Sequence, residues 1–155
     1  MAEAVASLSP QDAVVALMVM TSASDGHITQ DELRTIGRVV RSYPLFAEED
    51  EQNLVHTTER AARLMGSDGG LHRVIEAAKA ALPEHLAETA YAAVVDVVTA
   101  DESLNMEEIR ILELVRDALG VGDDGAAAIE HAARARHMTL EGPDSSEADA
   151  EREDA

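Results

Sequence analysis

Between Ser9 and His137 the apolar residues fall at helical spacing, and no run keeps the two-residue alternation of a strand. Ser9-Pro10-Gln11-Asp12 reads as a helix start, with Ser9 as N-cap and Pro10 at the first helical position. The helix that follows, to about Ala23, is apolar nearly all round from Ala13 to Met20, so it belongs in the centre of a core. Asp25-Gly26 breaks it. Thr29-x-x-Glu32 is a capping box that opens a second helix with an apolar stripe of Leu33, Ile36, Val39 and Val40, closed at Tyr43-Pro44. A third helix is expected from near Ala47, its first turn acidic from Glu48 to Glu51, ending at Gly66. A fourth, capped by Asp68, carries Leu71, Val74, Ile75, Ala78 and Leu82. Pro83 opens a fifth through Ala90, Tyr91, Val94, Val95, Val97 and Val98. Asn105-x-x-Glu108 is a second capping box, and its helix has a stripe of Ile109, Leu112, Val115 and Leu119 before Gly120. A short Ala-rich seventh helix spans about Asp123 to His137. The expectation is an all-α bundle of about seven helices.

The pattern repeats. Shifted by 76 positions, Asp25 falls on Asp101, Ile28 on Leu104, Glu32 on Glu108, Leu33 on Ile109 and Arg34 on Arg110. Helices one–two and five–six are thus two copies of one helix hairpin. Around them, residues 1–8 read as a loose N-terminus, 9–139 as the helical domain and 140–155 as a disordered acidic tail.

Composition narrows the function classes. Aromatics are only 2%, so Ala, Val, Leu, Ile and Met must fill the core by close helix packing. The net charge of -19 argues against nucleic-acid binding, which needs clustered Lys and Arg, and fits a protein that meets cations or basic partners. The absence of Cys excludes disulfides, thiolate metal sites and a Cys nucleophile. The longest apolar run, Ala13 to Met20, is far short of a membrane span, and the N-terminus has no signal-peptide pattern, so the expected location is the cytoplasm, without membrane insertion. The histidines show no metal-binding spacing, and no phosphate loop or nucleophile motif stands out. His131, Arg134, Arg136 and His137 form the one basic cluster evident in the sequence, placed to dock helix seven on the acidic body or to hold a partner.

The candidate chemistry lies in the repeat. Asp25 and Asp101 follow the C-terminal ends of apolar helices, where the helix dipole disfavours a carboxylate. Glu32 and Glu108 sit one turn into the next helices. Should the hairpins pack face to face, four carboxylates converge, and a hard cation such as Ca2+ or Mg2+ is the matched filler. Asp25, Gly26, Ile28 and Glu32 match the second half of an EF-hand loop, but Thr21 and Ala23 stand where its first carboxylates belong. A plainer reading also holds, in which Asp ends a helix, Ile or Leu staples the turn and Glu completes a cap. Asp96 adds a carboxylate in the buried-looking run of helix five. A salt bridge to Arg110 or Arg34 would account for it, and its counterpart in the first copy is Met20.

These loops, Ala23 to Ile28 with Glu32 and Ala100-Asp101 with Glu108, resemble the paired signatures of the tellurite-resistance TerB-like family. Glu88 to Ala92, Arg110 to Leu119 and Ala132 to His137 resemble it too, so the likeness covers about residues 10 to 138. It implies a helical bundle with an acidic surface, divalent-metal binding, most often of calcium, and a non-enzymatic adaptor or scaffold role in bacterial stress responses to tellurite. Protein partners are implied, in complexes that reach the membrane. Carried over by position, Asp25, Glu32, Asp101 and Glu108 would be ligands, with Asp96 and Asp31 as additions; Met20 and Glu102 depart from the pattern. The other reading is a metal-free helical interaction module that offers its acidic surface to a basic partner.

Overall fold

The computed structural model describes residues 8–22, 27–48, 51–100 and 105–142. They form α1 (Pro10–Ser22), α2 (Gln30–Ser42), α3 (Glu51–Met65), α4 (Gly70–Ala81), α5 (Ala87–Ala100), α6 (Met106–Leu119) and α7 (Asp123–Arg136), with single 3-10 turns at Pro44–Phe46 and Glu84–Leu86. No strand is found among the described residues.

α1 sets the architecture. Every residue from Ala13 to Met20 is buried, so no side of the helix can face water and neighbours must enclose it. α2, α3, α4, α5 and α6 all pack against it. Its start is fixed by Ser9, whose hydroxyl accepts from the Asp12 amide at 3.1 Å, with Pro10 next in line. Asp12 in turn accepts from the Thr57 hydroxyl at 3.1 Å, which pins α3 against the first turn of α1.

The two hairpins, α1–α2 and α5–α6, engage each other reciprocally. α1 packs on α5, α2 on α5 and α1 on α6. Ile28 packs against the core just before the α2 cap, as a staple residue should. α6 turns Ile111 and Val115 inward, flanked by Leu112 and Leu119. The expected stripe therefore sits slightly off: Ile109 is not part of the core, and Ile111 takes its place. Gly120 closes α6 in the left-handed region, and its amide and that of Val121 both reach the Arg116 carbonyl.

Three helix starts differ from expectation; one is α5, which begins at Ala87 because Pro83 opens a 3-10 turn over residues 84–86 first. α3 begins at Glu51, because Pro44 draws residues 44–46 into a 3-10 turn that buries Phe46. α4 is capped by Gly69, not Asp68: Gly69 adopts φ +67, and no side chain caps the helix. The reason is crowding. A Cβ at Gly70 would lie 2.3 Å from the Leu64 carbonyl oxygen and 2.7 Å from that of Met65. The Ser67–Gly70 turn folds the start of α4 directly onto the end of α3, and only glycine fits.

Gly70→Ala should therefore cost about 1–3 kcal/mol of unfolding free energy, the range for overpacking a tight site. Gly122→Ser, at an N-cap with nothing within 4 Å, should stay within about 0.5 kcal/mol of the parent chain. Urea denaturation of both variants checks the pair.

Candidate functional site

The reciprocal packing of the hairpins leaves one cleft of about 470 Å³ between their matching ends. Thr21 and Ser22 from the last turn of α1 face Val97, Val98 and Ala100 from the last turn of α5. Asp31, Glu32 and Thr35 from the start of α2 face Asn105, Glu107 and Glu108 from the start of α6. The repeat thus brings Glu32 and Glu108, 76 positions apart, to the same cleft, with Asp31 and Glu107 beside them. Asp25 and Asp101 belong to the loops that join these helix ends and lie outside the described residues.

Each glutamate is held by its own helix start. At α2 the full capping box is present: the Thr29 amide donates to Glu32 Oε2 at 2.8 Å, and the Glu32 amide donates to the Thr29 hydroxyl at 3.2 Å. At α6 the Glu108 amide donates to Asn105 Oδ1 at 2.8 Å, but Glu108 Oε1 accepts from Asn105 Nδ2 at 2.9 Å. The amide side chain of asparagine offers its own donor, so the second cap closes side chain to side chain. Asp31 pairs with Arg34 at 3.2 Å on the surface. The positive ends of α2 and α6 favour all four carboxylates where they stand.

The donor chemistry suits a hard cation, since carboxylate and hydroxyl oxygens line the cleft and, among the described residues, no imidazole does. Among the described residues, however, no group of three or more His, Asp or Glu converges closely enough to hold an ion. Glu32 and Glu108 would form only part of a coordination sphere, and Asp25 and Asp101 would have to complete it.

Asp96 is placed elsewhere. It does not line the cleft but lies buried on another face of α5, 5% exposed. Tyr43 Oη donates to Asp96 Oδ2 at 2.5 Å, and Arg136 Nη2 donates to Oδ1 at 2.6 Å, with His137 Nε2 at 3.4 Å from the same oxygen. The salt bridge anticipated for this buried acid exists, but its partner is Arg136 and not Arg110 or Arg34. Arg110 is exposed on α6, and Arg34 pairs with Asp31. Arg136 and His137 thereby dock the end of α7 on α5, one of the two roles open to that basic cluster. The hydrogen bond to Asp96 raises the Arg136 pKa further. Burial, with Asp96 beside it, pushes the Tyr43 phenol well above its ordinary value. Burial and the neighbouring Glu130 push Tyr91 up to about 12.

The sequence cluster is also not the only gathering of basic side chains. Arg34, Arg38 and Arg41 line one hollow on α2, and Arg60, Arg63 and Arg73 line a groove between α3 and α4. The i, i+4, i+7 spacing of the first set was the signal for it. The second set needs the packing of two helices.

A family model described as tellurite resistance protein TerB matches residues 11–131. The chain belongs to that family. TerB is an all-α family and not, in general, one of enzymes. The matched span holds both hairpins, Tyr43 and Asp96, and stops before Arg136 and His137. A search of the curated proteins finds no match, and a search of the solved structures finds none either. No helix among the described residues of this TerB-family chain is long and apolar enough to cross a membrane.

Two results should follow from the Asp96 cluster. Tyr43→Phe should lower stability at pH 7 by about 1.5–3 kcal/mol, the range for a hydrogen bond to a charged group. The second concerns alkali. Both tyrosines keep their protons in the folded chain beyond the point, near pH 10, where unfolded tyrosine ionises. The unfolded state then binds fewer protons, so stability is full below about pH 10 and falls as pH rises through each folded pKa. Urea midpoints between pH 8 and 11 should drop less steeply in Tyr43→Phe than in the parent chain.

Proposed function

We propose that this TerB-family protein is a non-enzymatic adaptor in a bacterial stress response, and that the cleft shared by its two hairpins is the recognition face. In this reading a divalent cation, Ca2+ or Mg2+, binds Glu32 and Glu108 together with Asp25 and Asp101. The observation that carries it is the convergence of both helix starts on one cleft, with four carboxylates at its edge. A bound ion would neutralise the like charges of the two hairpins and draw their loops together. The adaptor would then present a face of different charge to a protein partner in a cytoplasmic or membrane-associated complex.

A second reading has its own support. Glu32 and Glu108 already serve as caps, so their place at the helix starts is accounted for without a metal. In that case the same cleft acts without metal, as an acidic surface for a basic partner.

Thermal unfolding in chelator and in millimolar Ca2+ or Mg2+ separates the two. Site binding raises stability by about 2.7 kcal/mol at a hundredfold excess over the dissociation constant. The rise should vanish in Asp25→Asn/Asp101→Asn. It should weaken in Glu32→Gln/Glu108→Gln, which removes charge while leaving an amide able to cap. No shift with either ion removes the cation and leaves the metal-free module.

A further inference from the structure

On the α1–α3–α4 side of the bundle lies a groove of about 370 Å³ that shares no lining residue with the acidic cleft. Its floor is apolar: Ala61, Val74 and Ala77 are buried there, and Leu64 is partly exposed. Ala61, Val74 and Ala77 are short side chains, so the floor between the arginines is a trough. Its rim is cationic: α3 contributes Arg60 and Arg63, and α4 contributes Arg73.

That charge is out of keeping with the rest of the chain. Asp and Glu number 31 of 155 residues, against 12 Lys and Arg, yet among the described residues no carboxylate lines this groove and three of the 12 cations do. Arg63 and Arg73 are exposed, and neither has an acidic partner among the described residues. Guanidinium groups match carboxylates by paired hydrogen bonds, and an apolar trough matches the apolar stripe of a helix.

We infer that this groove docks an acidic amphipathic helix of a partner protein. The apolar stripe of that helix lies on Ala61, Leu64, Val74 and Ala77, and its flanking carboxylates pair with Arg63 and Arg73. Cations on both walls favour a helix over a fatty acid, which carries a single carboxylate. The chain's own residues 143–155 supply carboxylates but no large apolar side chain to fill the floor. The acidic cleft and this groove then take partners of opposite charge, so one protein can join two others. The inference stands whether or not the cleft binds a cation.

The test uses the full chain and a fluorescein-labelled synthetic peptide of about 18 residues, five helical turns, with a Leu stripe flanked by Glu. Fluorescence anisotropy should show saturable binding, although a chain of net charge -19 repels acidic peptides at long range. A peptide of the same composition with its stripe scrambled should bind at least about tenfold more weakly. Arg63→Glu/Arg73→Glu should weaken binding by at least about tenfold, with the unfolding midpoint unchanged because both side chains are exposed. Absence of saturable binding, equal binding of the scrambled peptide, or an unaffected double variant overturns the inference. So does binding of decanoate in place of the peptide, which makes the groove a lipid site. So does a dimer in sedimentation that the double variant dissociates, which makes the occupant a second copy.

Discussion

The structure depends on one constraint: α1 has no face that can meet water. With Ala13 to Met20 all buried, the helix is stable only inside a ring of neighbours, and five other helices supply it. The core around it holds one Phe and two Tyr and no Trp, so it gains its contacts from many small side chains at short range. That is why backbone approaches are close, as where α4 folds back on the carbonyls of Leu64 and Met65. Tyr43 and Tyr91, the larger aromatics, each carry a hydroxyl beside a carboxylate, so the few bulky residues also order polar contacts.

Enclosing α1 brings the repeat together. Because α1 packs on both α5 and α6, and α5 on both α1 and α2, the equivalent ends of the two hairpins meet. Acidic residues at a helix start are locally favourable, so each hairpin accepts them without help. Their convergence is a consequence of packing, and it concentrates negative charge at one place on the molecule. On another face of α5 Arg136 neutralises Asp96 and, with His137 beside the same carboxylate, holds α7. Charge is therefore separated: acids at the hairpin ends, paired charges under α7, and cations along the α3–α4 groove.

What the sequence made legible was local. The Ser9 cap, the Thr29–Glu32 box, the Gly120 stop and the seven helices depend on residues within a turn of each other. The convergence of Glu32 and Glu108 was legible through the repeat, given the condition that the hairpins pack together. The partners of Asp96 were not. Tyr43 and Arg136 stand 53 and 40 positions from it, and no local spacing ties them. The α4 cap was misread for a related reason: Asp68 has the chemistry of a cap, but the crowding of α3 against Gly70 decides the turn. Likewise the groove arginines come from two helices, and only their packing assembles the set.

Whether the two hairpin ends act as one site can be read from amide chemical shifts followed through a Ca2+ titration. One shared site moves Thr29 to Glu32 and Asn105 to Glu108 together, along a single binding curve. Shifts confined to one hairpin, two curves with different midpoints, or changes confined to residues 143–155 would contradict it.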